Sequence, residues 1–423
     1  MADGAQPTSV VIVGAGQAGY ETAASLRERG YPGRITLISA EDALPYERPP
    51  LSKAYLKGEQ HFSDEQLWLR PVTYYTRQSI DLVRGTVREI DPIARTVRLA
   101  DGSGYDYGHL VLATGAQARE LDVPGAGLRG VHTLRTAQDA AALRASLATA
   151  RRAVVVGAGF IGLEFAATAR ESGCEVTVVE ALDRPLARVA SAPTAEYFTR
   201  LHRRAGTELL FGQGVVALHG DGRKGVTAVE LSDGRRLPAD LVLIGVGVVP
   251  RTELAAAAGL PVNGGVTVDS RLLTSDPCIS AIGDCASFRH VRFGNRLRLE
   301  SVQNAVGHAR LVAERLTGAS RSYDELPWFW SDQFATTVQI AGLDEGHDSE
   351  ITIGDDPDAF SVLLFRGEEL QAVESVNRSM DHLAARRILE QGIGLSPDEA
   401  GTPGFTLKGH LSRRREGPVV AAG

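Results

Sequence analysis

The sequence is short of cysteine, and the cysteines it has are scattered. Among 423 residues there are three, Cys174, Cys278 and Cys285, and they form neither a C-x-x-C nor a C-x-x-x-x-C pair. A redox-active disulfide needs a paired dithiol, and a structural zinc site needs closely spaced cysteines and histidines. The sequence therefore argues against both, and the three cysteines are interpreted as small buried residues.

Long apolar runs and an excess of positive charge are also missing. No apolar run reaches about 18 residues, and Met1–Ser9 lacks a signal-peptide pattern, so we expect no membrane span and a cytoplasmic location. The formal net charge of −7 gives no indication of a nucleic-acid partner. With 43% hydrophobic and 23% charged residues, the composition is typical of a globular protein of two or three domains.

Glycine, in contrast, is plentiful and occurs in two related patterns. The β-branched run Val10–Val13 leads into G-x-G-x-x-G at residues 14–19, and Val154–Val156 leads into the same motif at residues 157–162. Each pattern predicts a strand, a tight turn and a helix, with a middle glycine that lets a pyrophosphate approach the backbone. The free N–H groups and partial positive charge of the helix start favour phosphates. Two motifs predict two dinucleotides.

An acidic residue follows the second strand of each motif. Glu41 comes 22 residues after the last glycine of its turn, and Glu180 comes 18 residues after the last glycine of the other. Both are candidate ligands of an adenosine ribose. A carboxylate repels a 2′-phosphate, so Glu180 favours NADH, whereas the neighbouring Arg184 and Arg188 could favour NADPH. A protein that holds two dinucleotides commonly passes a hydride from NAD(P)H to FAD.

The order of predicted elements indicates an α/β fold, with two Rossmann-like dinucleotide-binding domains plus a C-terminal α+β domain. A discontinuous FAD-binding domain is predicted at residues 8–116 and 247–326, and an NAD-binding domain at residues 117–246. The C-terminal domain is predicted at residues 327–423, with a mobile tail after Ser396 that is rich in proline and glycine and contains Arg413–Glu416.

Other stretches offer candidate cofactor contacts. The loop Leu44–Lys53 is broken by prolines, and its Lys53 is interpreted either as a neighbour of a flavin ring or as a solvated surface lysine. Asp284 follows a strand-end glycine, where it could bind a ribitol hydroxyl, cap a following helix, or do both. One strand is predicted over Asp81–Ile90 and a long helix over Glu300–Thr317.

Several stretches resemble the NADH-dependent ferredoxin reductases of oxygenase systems, of the putidaredoxin-reductase and biphenyl-dioxygenase-reductase type. The resemblance covers almost the whole chain. Its most specific motifs are the loop Pro49–Lys53 and the stretch Trp328–Gln333. The others are the two glycine turns, the second continuing to Glu164, and the stretches Ala113–Gly115, Ala239–Val242, Ile282–Ala286 and Glu300–Val302.

The resemblance implies two cofactors, FAD and NADH. The FAD contacts it implies are Gly14, Ala15, Gly16, Gly19, Arg48, Lys53, Val87, Ala113, Gly115, Arg135, Asp284, Val302 and Trp330. The NADH contacts it implies are Gly157, Gly159, Phe160, Ile161, Gly162, Glu164 and Glu180. One departure concerns the FAD ribose, because the family often has Gly-Asp-Glu where this chain has Ser39-Ala40-Glu41. Since Ala40 cannot accept a hydrogen bond through its side chain, Glu41 is expected to take that role.

The resemblance also implies an electron acceptor and catalytic residues. The acceptor would be a [2Fe–2S] ferredoxin that serves a P450 or a Rieske-type oxygenase, with flavin as the adaptor between a hydride and single electrons. Lys53 and Glu164 are expected to pair near the flavin, and Trp330 to lie at its edge, although a glutamate on a solvated helix face and an interface tryptophan are the alternatives. Candidate arginines for docking an acidic ferredoxin are Arg296, Arg298, Arg310, Arg386 and Arg387.

Other functions on the same fold remain open. An NADH oxidase or peroxidase would use a redox cysteine after the second strand, and the segment Ser39–Lys53 has none. A membrane quinone reductase would need an amphipathic anchor, and the predicted helix Met380–Gln391 has no clear aromatic face. A flavoprotein like apoptosis-inducing factor would bind the same two cofactors, so cofactor content does not separate it from a ferredoxin reductase.

Overall fold

The computed structural model of the protein describes residues 6–58, 64–222, 225–319, 321–344 and 346–415. The chain divides into two compact units. The first consists of Met1–Pro50, His61–Gln117 and Val248–Glu325, and the second of Leu51–Gln60, Ala118–Gly247 and Leu326–Gly423. The second unit thus contains both the predicted NAD-binding segment and the C-terminal segment. It also takes in Lys53 and the residues around it.

Helices and strands alternate along most of the described chain. The helices are α1 Gln17–Glu28, α2 Ala54–Lys57, α3 Asp64–Leu67, α4 Val72–Arg77, α5 Ala137–Leu147, α6 Phe160–Glu171, α7 Ala192–Arg204, α8 Glu253–Ala257, α9 Val302–Leu316, α10 Ser379–Glu390, α11 Pro397–Ala400 and α12 Leu407–Arg415. Single 3₁₀ turns lie at Pro49–Ser52 and Gly283–Cys285.

The strands are numbered in chain order. They are β1 Ser9–Val13, β2 Arg34–Ser39, β3 Ile80–Arg84, β4 Val87–Asp91, β5 Thr96–Leu99, β6 Gly104–Asp106, β7 His109–Leu112, β8 Ala116–Ala118, β9 Val131–His132, β10 Arg152–Val156, β11 Glu175–Glu180, β12 Glu208–Phe211, β13 Val215–Gly220, β14 Val226–Leu231, β15 Arg236–Pro238, β16 Leu241–Ile244, β17 Val248–Pro250, β18 Val266–Val268, β19 Ile279–Ala281, β20 Ala286–Arg289, β21 Arg296–Leu297, β22 Trp328–Gln333, β23 Thr336–Gly342, β24 Ser349–Asp356, β25 Ala359–Arg366 and β26 Glu369–Val376.

The first unit is built on a parallel sheet with the strand order β19-β7-β1-β2-β3. Val10, Val11 and Ile12 in its central strand are fully buried, as expected where both faces of a parallel sheet are covered. Helices α1 and α9 pack against each other. Two small sheets, β4-β5-β6 and β18-β20-β21, complete the unit.

The second unit contains a second parallel sheet, with the order β12-β11-β10-β16-β9, and a smaller antiparallel sheet, β13-β14-β15. Its C-terminal part is an antiparallel sheet of five strands, β22-β23-β26-β25-β24. Strand β25 alternates between two cores. Val362 and Leu364 pack with Phe165 of α6, whereas Leu363 and Phe365 pack with the helices α10 and α12.

Two predicted elements are corrected by the structure. The strand predicted over Asp81–Ile90 is two strands, because β3 pairs with β2 in the parallel sheet whereas β4 pairs with β5 in a separate small sheet. The helix that could have followed Asp284 is absent from the described chain, since a 3₁₀ turn leads directly into β20, whose backbone pairs with β18 and β21. The predicted α/β fold class is confirmed.

The tail also differs from its prediction. Residues 397–400 and 407–415 form α11 and α12. Leu407 and Leu411 are buried against the C-terminal sheet and α10. The two leucines are four residues apart, so they lie on the same face of α12 and are buried together. The end of the predicted mobile tail, residues 416–423, lies outside the described residues.

Candidate functional site

The first glycine turn joins β1 to α1 at the carboxyl end of the sheet. Gly14 has a φ of +107°, and a Cβ there would lie 2.2 Å from the Ala113 carbonyl oxygen. A Cβ at Gly19 would lie 1.9 Å from the Gly14 carbonyl oxygen. At Gly16, in contrast, a Cβ would meet no atom of the described chain within 4 Å. The space beside Gly16, Ala15 and the first N–H groups of α1 is therefore open and fits a pyrophosphate.

Glu41 lies in a charged cluster just beyond β2. Its Oε1 accepts a hydrogen bond from Arg48 at 2.6 Å and its Oε2 accepts one from the Tyr46 hydroxyl at 2.5 Å. Burial opposes ionisation of Glu41, but the Arg48 charge and these hydrogen bonds outweigh it and lower the pKa of the carboxyl. Burial likewise opposes the Arg48 charge, yet Tyr46, Glu41 and Asp284 together raise the pKa of Arg48. The structure thus brings Glu41, Arg48 and Asp284 together.

The other predicted FAD contacts of the first unit lie at or next to the ends of its helices and strands. Ala113 follows β7 and is buried, and the carbonyl oxygen of Gly115 accepts a hydrogen bond from the Arg251 N–H at 2.9 Å. Val302 is the first residue of α9, and Val87 is the buried first residue of β4. Three predicted contacts belong to the second unit, and these are Lys53, Arg135 and Trp330.

The second glycine turn repeats the first between β10 and α6. Gly157 has a φ of +103°, and a Cβ there would lie 2.5 Å from the Gly245 carbonyl oxygen. A Cβ at Gly162 would lie 2.1 Å from the Gly157 carbonyl oxygen, whereas at Gly159 it would meet no described atom within 4 Å. Ile161 beside this open position is 44% exposed although it is apolar. The turn fits a second dinucleotide.

Glu180 ends β11 and binds the turn itself. Its Oε2 accepts a hydrogen bond from the Ala158 N–H at 2.7 Å, and its Oε1 accepts one from the Leu182 N–H at 2.9 Å. A carboxylate oxygen accepts about two hydrogen bonds, so each oxygen of Glu180 keeps capacity for a ribose hydroxyl. The Arg184 guanidinium donates to the carbonyl oxygens of Ala190, at 2.8 Å, and Ala187, at 3.4 Å. Arg184 therefore stabilises the loop between β11 and α7.

Lys53 and Glu164 form an ion pair in the second unit. Lys53 Nζ lies 2.9 Å from Glu164 Oε1, and Glu164 is only 3% exposed. The Ser331 hydroxyl donates to the same oxygen at 2.7 Å, and the Ser52 hydroxyl donates to Oε2. A buried carboxylate is tolerated when it is paired and hydrogen-bonded, and this one is both. The predicted pairing of Lys53 with Glu164 is present, and the two serines are additions to it.

Aromatic side chains surround the predicted site residues Phe160 and Trp330. Phe160, at the start of α6, packs on Phe329 with ring centroids 4.5 Å apart. Trp330 packs on Trp328 at 5.6 Å with an interplanar angle of 32°, and the Arg386 guanidinium lies 4.8 Å from the Trp328 centroid. Strand β22 therefore carries Trp330 and a partner of Phe160 within one unit.

The candidate docking arginines have contacts of their own. Arg298 pairs with Glu300 at 2.5 Å, Arg310 with Glu21 at 2.8 Å and Arg386 with Glu390 at 3.3 Å. Arg296 donates to the carbonyl oxygens of Ser287 and Val268, and Arg387 is exposed in the last turn of α10. Arg296, Arg298 and Arg310 belong to the first unit, and Arg386 and Arg387 to the second.

The cysteines offer no redox pair. All three are free and buried, and burial raises the pKa of the Cys174 and Cys285 thiols. No group of three or more His, Cys, Asp or Glu side chains in the described part of the chain is arranged to hold a metal ion. The donor set of the site suits dinucleotides: open glycine turns at helix starts, with carboxylates and cations beside them.

The two glycine turns and the ion pair were predicted from the sequence, but their supporting groups were not. Ser52 and Ser331 lie in the two most specific motifs, Pro49–Lys53 and Trp328–Gln333, and that position was the available signal. Tyr46 was part of the proline-rich loop, and only the structure shows that its hydroxyl binds Glu41.

Comparison with known proteins gives the family of the chain. Residues 8–309 match the pyridine nucleotide-disulphide oxidoreductase family, and residues 328–411 match the reductase C-terminal family. The chain is 47% identical to rhodocoxin reductase from Rhodococcus erythropolis over 411 residues, which is 96% of this chain and 95% of the relative. The ferredoxin reductase for the CYP199A2 system from Rhodopseudomonas palustris is 48% identical, with a TM-score of 0.93, and the match covers 96% of this chain and 100% of that one.

A solved complex is also similar. It is the covalent complex of putidaredoxin reductase with putidaredoxin, in which the matched chain is 39% identical, with a TM-score of 0.93 and coverage of 96% of this chain and 99% of that one. The chain therefore belongs to the pyridine nucleotide-disulphide oxidoreductase family, and within it to the ferredoxin reductases. It is an oxidoreductase, and its cofactors are FAD and NAD(P)H, as predicted. Within the described ranges, no helix is both long and apolar enough to cross a membrane.

Proposed function

We propose that the protein is an NADH-dependent reductase that passes electrons through FAD to a [2Fe–2S] ferredoxin serving a P450 or a Rieske-type oxygenase. The observation that carries the proposal is the ion pair of Lys53 with the buried Glu164, which lies in the same unit as the second open glycine turn. The names of the relatives support the acceptor, since they include rhodocoxin reductase and putidaredoxin reductase.

The first unit holds the adenosine and pyrophosphate parts of FAD in this proposal. Gly16 leaves room for the phosphates at the start of α1, and Arg48 adds a positive charge beside them. Glu41 supplies the carboxylate that residue 40, an alanine, cannot supply. The ion pair with Arg48 holds the Glu41 side chain in place. Asp284 supplies an acceptor for a ribitol hydroxyl.

The second turn binds NADH in preference to NADPH. Glu180 accepts two backbone hydrogen bonds and still has free acceptor capacity toward a ribose. Its negative charge opposes a 2′-phosphate. Arg184 donates to the carbonyl oxygens of Ala190 and Ala187, which directs its guanidinium toward its own loop.

Lys53 and Glu164 act on the hydride step. Bound FAD supplies the conversion of a two-electron hydride transfer into single-electron steps. Lys53 provides a positive charge that stabilises negative charge developing nearby, and Glu164 holds the ammonium in place through a 2.9 Å contact. Trp330 lies at the exit for electrons, and the candidate arginines attract an acidic ferredoxin.

The test is NADH-driven reduction of a [2Fe–2S] ferredoxin by the purified protein, with cytochrome c as the final reporter. We expect a rate that requires ferredoxin, falls as ionic strength rises, and exceeds the NADPH rate by about tenfold or more. Oxygen uptake is followed in parallel, and the same protein without ferredoxin is the control.

Three outcomes contradict part or all of the proposal. Fast oxygen uptake without ferredoxin indicates an NADH oxidase. Flavin that NADH reduces quickly, but that passes electrons neither to ferredoxin nor to oxygen, indicates a flavoprotein like apoptosis-inducing factor. An NADPH rate equal to the NADH rate removes the Glu180 argument and leaves the acceptor unaffected.

A further inference from the structure

The buried polar contacts of Glu164 continue away from Lys53. The Ser331 hydroxyl, which donates to Glu164, accepts a hydrogen bond from Gln333 Nε2 at 3.3 Å. Gln333 Oε1 in turn lies 2.9 Å from His202 Nε2. Exposure is 0% for Ser331, 1% for Gln333 and 0% for His202. A line of buried groups therefore runs from α7 through β22 to α6.

These contacts have one direction. Gln333 directs its N–H toward Ser331, so the oxygen that faces His202 can only accept, and a hydrogen bond there requires the His202 proton on Nε2. Ser331 accepts from Gln333 and is left with its own O–H to donate to Glu164. Every donor in the line points toward the Glu164 carboxylate, and donors aligned in this way strengthen one another.

His202 is held as a neutral imidazole. Burial lowers its pKa, and the hydrogen bond to Gln333 opposes this only in part. Its Nδ1 has no hydrogen-bond partner among the described residues, and its ring packs against Phe334 at 5.1 Å. A buried unpaired nitrogen costs stability. Apolar side chains would fill the same space without that cost, which makes the Nε2 donor the reason for a histidine here.

We propose that His202, Gln333 and Ser331 are positioning residues for the reaction, forming a one-way hydrogen-bond relay that fixes the Glu164 carboxylate and, through it, the Lys53 ammonium. The inference rests on the proposed role of Lys53 and Glu164 at the flavin. It assigns a task to three buried residues of α7 and β22.

The relay has a measurable consequence for flavin reduction. Without the His202 donor, Gln333 can turn its amide, and Ser331 then has no donor that fixes its own hydroxyl. The Glu164 carboxylate would stay paired with Lys53 but would no longer be held in one orientation. The long Lys53 side chain would then sample more positions. Loss of one such hydrogen bond slows hydride transfer by about threefold to tenfold and leaves NADH affinity nearly unchanged.

The experiment is rapid mixing of the FAD-loaded protein with NADH, which yields the rate of flavin reduction at saturation and the Kd for NADH separately. His202→Leu removes the donor. Tyr197→Phe is the matched control, because the Tyr197 hydroxyl contacts Thr336 at 3.0 Å, is also buried, and joins the same helix α7 to the strand that follows β22. We expect slower flavin reduction in His202→Leu and a wild-type rate in Tyr197→Phe.

A second set of variants tests whether the effect passes through Glu164. In a Glu164→Leu background, His202→Leu should cause no further loss, because the carboxylate it positions is gone. His202→Gln, which retains an N–H donor at a similar position, should recover most of the rate. If His202→Leu fails to fold, Ser331→Ala removes a single hydroxyl and answers the same question.

A readout independent of turnover is the tautomer of His202. Ring ¹⁵N shifts from histidine-labelled protein, assigned by their absence in His202→Gln, should show a neutral ring with its proton on Nε2. A proton on Nδ1 overturns the relay, as does an equal rate loss in Tyr197→Phe or an undiminished His202→Leu effect in the Glu164→Leu background. Flavin reduction precedes any acceptor, so these results stand even if ferredoxin proves to be the wrong partner.

Discussion

The two glycine turns are nearly identical in backbone geometry and differ in how they use an acid. The first glycines have φ values of +107° and +103°, and in both turns a Cβ on the last glycine would clash with the carbonyl oxygen of the first. Strand register pairs Val13 with Ile38 and Val156 with Val179, so Ser39 occupies the place of Glu180. Glu41 comes two residues later and binds Arg48 and Tyr46 instead of the turn.

The difference teaches that a shared fingerprint fixes the phosphate site but not the ribose site. Glu180 accepts a hydrogen bond from the Ala158 N–H of the second turn. The conformation of this turn and its proposed binding of a ribose therefore depend on the same carboxylate. In the first unit Ser39 exchanges hydrogen bonds with the Glu41 backbone, and Glu41 is part of a cluster with Arg48. Changes at Glu41 should therefore affect the cofactor more than the turn.

The largest effect is expected from blocking one open glycine position at a time. Gly16→Val and Gly159→Val place a side chain where the described protein leaves space, with φ values of −72° and −76° that valine adopts readily. We expect Gly16→Val to fold without FAD, and Gly159→Val to keep FAD but bind NADH about 100-fold more weakly or not at all. Flavin absorbance and NADH titration measure the two losses.

A companion change provides the control for these valines. Gly14→Val meets the Ala113 carbonyl oxygen and requires a positive φ, so it should fail to fold rather than fold without cofactor. If Gly159→Val binds NADH normally, the second turn is not the dinucleotide site.

An intermediate effect is expected from the two acids. Glu180→Gln removes a charge and one of the two acceptors that hold Ala158 and Leu182, so NADH affinity should fall about tenfold and the preference over NADPH should shrink. Glu41→Gln should leave NADH affinity unchanged and weaken FAD retention, since Arg48 loses its ionic partner. Titration of each variant with both nucleotides measures the contrast, and equal losses of NADH affinity would contradict it.

The smallest effect concerns the pH dependence of stability. A third carboxylate, that of Glu374, contrasts with that of Glu41. Glu374 is 1% exposed, accepts hydrogen bonds from the Ser191 N–H and hydroxyl, and pairs with no cation in the described chain. Burial raises its pKa from the ordinary 4.5, whereas the pKa of Glu41 is lowered. Stability from Glu41 is therefore present above pH 4.5 and lost in stronger acid, while stability linked to Glu374 is present below pH 4.5 and lost as pH rises.

The measurement is the Tm of each variant across pH. Glu374→Gln should raise the Tm by about 2 °C near pH 8 and lose that advantage in acid. Glu41→Gln should lower the Tm near pH 8 and converge on the wild type in acid. A pH-independent difference for either variant would show that its charge does not matter to folding.

The sequence could supply both nucleotide turns and the Lys53–Glu164 pair because each depends on local spacing or on a specific motif. Helices α9 and α10 were predicted to within a few residues. The contacts of Glu41 with Arg48 and Tyr46 could not be predicted, because they depend on how the loop after β2 folds. Ser331 and His202 are distant in the chain, and only packing brings them to one line.

Two errors have a related cause. The segment Asp81–Ile90 reads as one strand because only Gly85 and Thr86 separate β3 from β4, although the two strands pair with different sheets. Asp284 is a good helix cap in isolation, but strand pairing of β20 with its two neighbours satisfies the backbone that a helix would otherwise have satisfied. Long-range pairing decided both segments.

The edge strand β19 has a consequence for biosynthesis. It pairs with β7, yet it follows that strand by about 170 residues in the chain. At a ribosomal rate of roughly 5–20 residues per second, one edge of β7 stays unpaired for about 10 to 30 s after it is made. The first unit therefore cannot complete its sheet while the chain is half translated, and the nascent protein should depend on chaperones that shield that edge until Ile279–Ala281 emerges.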